Sequence, residues 1–217
     1  MLQRFIHLVR TDAAGVEELP ATRERLSGAF PRGATRRMTQ LGLLLGGVLQ
    51  ELGPTENDTL VYASIYAETR ALEDYLTSFP AASPTLFQTS IHPSAVQQVL
   101  IARQQPVREF FPHTGRTHLV ASAVQSALLS TAERTILCGG EERGTWLLDH
   151  GAASAESFAF ALALSRERNG AAGTLSLVPA TEPAGELTLP EFFQALHRRR
   201  PLGQVVAPGL QLSLAWH

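Results

Sequence analysis

Lysine is absent from this chain: all 18 basic residues are arginine. A Schiff-base lysine is therefore excluded, and so is the lysine that a Walker-type phosphate loop requires. Cysteine is nearly absent too. One cysteine among 217 residues excludes an intramolecular disulfide and a multi-cysteine zinc site. Neither sign of charge dominates: 18 basic and 20 acidic residues leave a formal net charge of -2, which offers no electrostatic footprint for nucleic acid or an anionic membrane. No apolar run is long enough for a transmembrane helix. The start, Met1 to Arg10, is too short and too interrupted for a signal peptide. A cytoplasmic protein without membrane insertion is expected, and no metal or cofactor motif is present.

What is there reads as one globular domain spanning 1–217. The hydrophobic content of 44% and the length suit a substantial core. Leu2 to Val9 has strand character. From Met38 to Leu52, apolar residues recur at helical spacing and Gly53-Pro54 supplies the stop. Gly42, Gly46 and Gly47 inside that helix cost propensity, so the fold must need close approach there. Thr59 to Ser64 reads as a buried strand and Ala67 to Leu76 as a helix. Ser83 to Phe87 reads as a constrained turn, and Pro93 opens a helix to about Arg103. Val107 to Phe111 is a short strand, Thr117 to Leu129 a small-residue helix, and Thr135 to Cys138 a buried strand ending in Gly139-Gly140. Ser157 to Ser165 is apolar throughout, as a central strand is. Gly173 to Val178, the helix Leu189 to Arg200 and the strand Leu210 to Trp216 complete the chain. Alternating strands and helices argue for an α/β layered fold.

Four segments in order carry a family likeness. They are Arg36-Arg37-Met38, which begins the first long helix, the run Tyr62-Ala63-Ser64-Ile65-Tyr66-Ala67-Glu68, the run Ser83-Pro84-Thr85-Leu86-Phe87-Gln88-Thr89-Ser90-Ile91-His92, and Ile136-Leu137-Cys138-Gly139-Gly140-Glu141-Glu142. Between Arg36 and about Ser165 the chain resembles the N-terminal half of β-ketoacyl synthases, most of all the short ketosynthase-like and chain-length-factor-like proteins of aryl-polyene-type pathways. The resemblance implies a thiolase-like layered fold, a single half with a mixed sheet of about five strands packed by helices. It also implies a place in fatty-acid or polyketide assembly.

The departures bear on activity. The family carries a reactive cysteine at the start of a buried helix, where the helix end lowers the thiol pKa. The matching stretch here resembles Thr114-Gly115-Arg116-Thr117-His118, with Arg116 at the cysteine's place. A guanidinium stays protonated and carries no acyl group. Cys138, at the end of a buried strand, reads as inert core. The family's two catalytic histidines belong to its C-terminal half and have no matching positions in the stretch of resemblance. A pseudoenzyme, inactive for condensation, is expected.

Remaining candidates each have an ordinary reading beside the functional one. His113, Arg116 and His118 form a basic cluster that could hold a phosphate or an acyl carboxylate at a helix start; the ordinary reading is local hydrogen bonding. His92 reads as locally hydrogen-bonded, since no second metal ligand stands at the right spacing. Glu68 reads as a cap or first-turn residue. Arg198 to Arg200 reads as a solvated helix end, or as a contact for an acidic carrier protein. The small-residue helix is apolar on more than one side and must be covered, either by 187–217 folding back or by a partner. The resemblance implies dimerisation through the strand before that helix, making Val107, Phe110 and Phe111 interface candidates. The expected partners are a β-ketoacyl synthase subunit, an acyl carrier protein or both, in a homodimer or heterodimer. The alternatives are an acyltransferase-type enzyme or an acyl-binding domain using His113, Arg116 and His118.

Overall fold

The computed structural model describes residues 1–183 and 185–217. Its strands are β1 (Leu2–Gly15), β2 (Thr59–Ser64), β3 (Glu109–Thr114), β4 (Arg134–Glu141), β5 (Ser157–Ser165), β6 (Gly173–Pro179), β7 (Leu202–Ala207) and β8 (Leu210–Trp216). They form one eight-stranded sheet in the order β3-β2-β4-β5-β1-β6-β8-β7. β2 runs parallel to both β3 and β4, and every other pairing is antiparallel. The sheet is therefore mixed, as expected, but wider than the five or so strands expected. The extra width lies on the C-terminal side, where Pro208 and Gly209 turn β7 back into β8.

The helices are α1 (Leu19–Leu26), α2 (Gln40–Leu49), α3 (Thr69–Thr77), α4 (Pro84–Ser90), α5 (Ser94–Arg103), α6 (Leu119–Leu129), α7 (Trp146–Asp149) and α8 (Leu189–His197). They cover both faces of the sheet. One core joins α6 and α8 to Val61, Ala63, Leu137, Phe158, Phe160 and Leu162. The other joins α2 and α5 to Leu60, Tyr62, Ile136, Cys138, Ala159 and Ala161. β5 explains the spacing of these layers. Its residues are apolar on both faces, but the large ones point to α6 and α8 while alanines point to α2. α2 therefore lies close to the sheet, where a Cβ on Gly140 would stand 3.1 Å from Leu41.

The glycines of α2 meet close neighbours, as their propensity cost required. A Cβ on Gly46 would stand 2.1 Å from Cζ of Phe30, and one on Gly42 2.9 Å from the Gln98 amide oxygen. Thr39 caps this helix by accepting from the Gly42 N–H at 3.0 Å. Some elements differ from expectation. Ser83 to Phe87 is not a turn: the Ser83 hydroxyl accepts from the Leu86 N–H and Pro84 occupies the first turn of α4, the ordinary Ser-Pro start of a helix. Arg36 and Arg37 lie in a short 3-10 turn before α2. β1 extends beyond Val9 to Gly15, with irregular register against β5 at Ile6/Leu8 and Asp12/Gly15. That extension has β5 on one side only, since β6 pairs with Leu2 to Ile6, and half-solvated backbone accepts the polar residues that hid the strand.

Candidate functional site

The parallel strands β2, β3 and β4 end side by side at Ser64, Thr114 and Glu141. Four buried glutamates organise the loops beyond them, each accepting backbone N–H groups. Glu141 accepts from Ile65 and from Tyr66 at 3.1 Å. Glu142 accepts from Leu41 at 3.1 Å and Arg70 at 2.7 Å, in the first turns of α2 and α3. Glu73 accepts from Thr145 at 2.6 Å and Leu147 at 3.0 Å, at the start of α7. Glu68 accepts from Ala95 at 2.6 Å, in the first turn of α5. Carboxylates suit these positive helix ends, yet burial raises the Glu68 and Glu142 carboxyls to about 7 and Glu141 to about 8. Sequence reasoning missed Glu73, Glu141 and Glu142 as a set. The available signal was Glu141-Glu142 directly after a wholly apolar strand.

The start of α6 is a tight elbow. Gly115 has φ +136° and His118 φ +55°, a left-handed backbone that costs a non-glycine residue about 1 kcal/mol. The helix begins at Leu119 rather than Thr117, so the residue against its first turn is His118, not Arg116. The His118 ring is held by Nδ1 near the Val206 carbonyl at 3.1 Å. Arg116 is exposed and turned aside: it donates to the Gly151 carbonyl at 2.7 Å and lies over the Tyr66 ring at 5.5 Å. His113 pairs opposite Ala63 in β3, its Nε2 buried without a partner and its pKa lowered by burial. His92 makes none of the expected local hydrogen bonds. Its ring stacks on Tyr62 with centroids 5.0 Å apart, Nδ1 is 4.0 Å from Glu68 Oε2, and both ring nitrogens lack partners. Burial, with His113 nearby, lowers its pKa. Arg116 and His118 are thus held by separate backbone carbonyls, while the buried ring nitrogens of His92 and the Nε2 of His113 have no hydrogen-bond partner.

Cys138 is wholly buried in β4, and burial pushes its thiol far up. Such a thiol is a poor nucleophile. Beneath the first turns of α6, the hollow lined by Ala63, Val120, Val124, Phe160, Leu189 and Phe192 has no room for a water molecule. Phe192 meets Phe160 edge-on at 5.6 Å and Phe193 stacks on Phe158 at 4.5 Å.

Two apolar surfaces stand open. The first is at β3, an edge strand of the sheet. β3 starts at Glu109, so Val107 precedes it; Val107 and Phe110 are half-buried against the α2–α5 core, whereas Phe111 is 43% and Leu129 of α6 57% exposed. Pro112 removes one N–H from this edge, a device that weakens uncontrolled strand pairing. The second is the α3–α4 arm, which exposes Leu72, Leu76, Phe79, Phe87 and Ile91 around a Tyr75–Phe79–Phe87 aromatic cluster. From Tyr75 to Ala102 the chain carries no Asp, Glu or Arg. Elsewhere, Arg32, Arg36 and Arg37 are exposed, and none forms an ion pair among the described residues. Of the C-terminal arginines, Arg199 lies over Trp216 at 4.9 Å. Among the described residues, no helix is long and apolar enough to cross a membrane, and no group of three His, Cys, Asp or Glu is placed to hold a metal.

No protein-family model matches the chain, and no curated protein matches it. Solved structures do. A chain of the complex of the ketosynthase ApeO with its chain length factor ApeC from Xenorhabdus doucetiae is 20% identical, with 99% of this chain and 100% of that one covered and a TM-score of 0.69. The ishigamide ketosynthase/chain length factor is 10% identical over 82% of this chain and 68% of that one, with a TM-score of 0.59. A β-ketoacyl synthase from Burkholderia phymatum STM815 is 10% identical over 85% and 67%, with a TM-score of 0.55. The fold is therefore the thiolase-like fold of ketosynthases and chain length factors. Within that fold, the helix elbow of this chain carries a histidine.

Proposed function

We propose that this chain is a non-condensing, ketosynthase-like subunit that pairs with a β-ketoacyl synthase in cytoplasmic fatty-acid or polyketide assembly of the aryl-polyene type. It works there by binding, and not by forming carbon–carbon bonds itself. The observation that carries this reading is the elbow before α6, where His118 is tied to the Val206 carbonyl while the one thiol of the chain is sealed in β4. The end-to-end likeness to a chain from a ketosynthase–chain length factor complex supports a partner role. So do the exposed apolar β3 edge and α3–α4 arm, since contiguous apolar surface of this kind marks association sites. The free Arg32, Arg36 and Arg37 side chains suit the phosphate and acidic surface of an acyl carrier protein. An acyltransferase site at His113, Arg116 and His118 has less support, because Arg116 and His118 are tied to different backbone carbonyls, Gly151 and Val206.

The test is co-expression with a ketosynthase encoded in the same genome, followed by size-exclusion chromatography. Co-elution is expected, and Phe111→Arg is expected to weaken it at least about tenfold, the effect of burying one unpaired charge at an interface. Persistent separation of the two chains, or a stable acyl adduct on this chain by mass spectrometry, overturns the proposal. Self-association blocked by the same substitution would assign the edge to a homodimer instead.

A further inference from the structure

The α3–α4 arm begins directly after Glu68 and ends at Ser90, two residues before His92. These two side chains meet at its base. Glu68 is 1% exposed; Oε1 accepts from the Ala95 N–H, while Oε2 has no partner and lies 4.0 Å from Nδ1 of His92. The His92 ring stacks on Tyr62, whose hydroxyl is also buried without a partner. One carboxyl, one imidazole and one phenol thus share a site in which the Glu68 Oε2, both His92 nitrogens and the Tyr62 hydroxyl are buried without hydrogen bonds, which is costly in a fixed state. We propose that Glu68 and His92 form a proton-operated latch that sets whether the base of the apolar α3–α4 arm is closed.

The groups around the latch give the direction of its response. Tyr62 and Ser64 face it from β2, His113 from β3, Ser94 and the Ala95 N–H from α5, and Glu142 from beyond β4; Glu141 and Cys138 stand behind Tyr62. None of these is a cation at neutral pH. Arg70, on α3, is engaged by Glu73 at 3.6 Å. In the closed arm the Glu68 carboxyl titrates at about 7, raised mainly by burial; in an open, hydrated arm it returns toward the usual carboxylate value. The closed form therefore holds the extra proton, and closure weakens as pH rises toward 7. His92 opposes this. Burial lowers its pKa, so the open form binds that proton better and closure weakens as pH falls below the free imidazole value. Glu68 is the more deeply buried of the two, 1% exposed against 18% for the His92 side chain, so its direction prevails.

Hydrogen exchange of the full chain tests the latch without any partner, so its outcome is independent of the proposed function. Arm amides, Thr69 to Ser90, are compared at about pH 5 and about pH 8 after correction for intrinsic rates, with β4 and β5 amides as the reference. Arm protection is expected to fall about tenfold or more at the higher pH, since each net proton released changes the equilibrium by up to about tenfold per pH unit. Glu68→Gln is expected to remove or reverse that fall. His92→Phe, which keeps a ring on Tyr62, is expected to steepen it. An arm equally protected at both pH values overturns the latch, as does an unchanged fall in either variant. If Glu68→Gln loses β4 and β5 protection and does not fold, His92→Phe alone decides.

Discussion

At the residue scale, the missing lysine finds a structural counterpart in Arg4. Its side chain is 1% exposed, and its guanidinium donates to the carbonyls of Ser130, Ala132 and Glu133. These lie just past the C-terminal end of α6, where unpaired carbonyls and the helix dipole favour a cation. No carboxylate is among its partners, so the helix end is its counter-charge. A flat fork reaches three carbonyls at once; a lysine ammonium at one point does not. Arg4→Ala is expected to destabilise the chain by about 3 kcal/mol, because several buried acceptors lose charged donors together, and Arg4→Lys to recover only part of this. Urea unfolding at neutral pH measures both, and a loss under about 1 kcal/mol for Arg4→Ala would show the carbonyls finding water instead. Alternation in the strand puts Arg4 on one face with Leu2 and Ile6, but nothing in the sequence reveals the three carbonyls that take its charge. His92 was visible as a candidate but its surroundings were not: a histidine before proline does not reveal that Tyr62 and Glu68 lie against it.

At the scale of elements, legibility followed how much of an element's stability is local. α2, β2, α6, β4 and β5 are apolar in ways that only a buried helix or strand tolerates, and each appears within about four residues of its expected limits. β7 and the far half of β1 owe their existence to neighbours across the sheet and carry little pattern of their own. α2 shows how packing overrides propensity. Replacing Gly46 by alanine would raise helix propensity by about 1 kcal/mol. The new methyl, however, would stand 2.1 Å from the Phe30 ring, which is itself buried and has Arg103 over its face at 5.1 Å. Overpacking of this kind costs about 1–3 kcal/mol, so Gly46→Ala is expected to be net destabilising by about 1 kcal/mol. In the Phe30→Leu background, where the ring is gone, the same change should turn neutral or stabilising. A double-mutant cycle of urea midpoints measures the coupling, and simple additivity would show that the ring swings aside freely.

At the scale of the whole molecule, the sequence raised a question that the eight-stranded sheet addresses: what covers α6. The helix buries Val120, Ala123 and Val124 in a core that also contains Leu189, Phe192, Phe193, Leu212 and Leu214. All five of these belong to 187–217, and β8 extends the sheet by pairing with β6 along Gly173 to Pro179. We infer that 187–217 is an integral cover and not an appendage. The surfaces proposed for association, the β3 edge and the α3–α4 arm, lie on other elements. Ending the chain after Glu186 would expose Phe158, Phe160 and much of α6 to water. Each large side chain uncovered forfeits about 1.5–3 kcal/mol of burial, and a few such losses reach the whole stability of an ordinary domain. The 1–186 chain is therefore expected to lack a cooperative urea transition and to be digested rapidly by protease where the full chain resists. A truncated chain that unfolds cooperatively near the full-length midpoint would place the essential core within 1–186 and make a partner subunit the better candidate for covering α6.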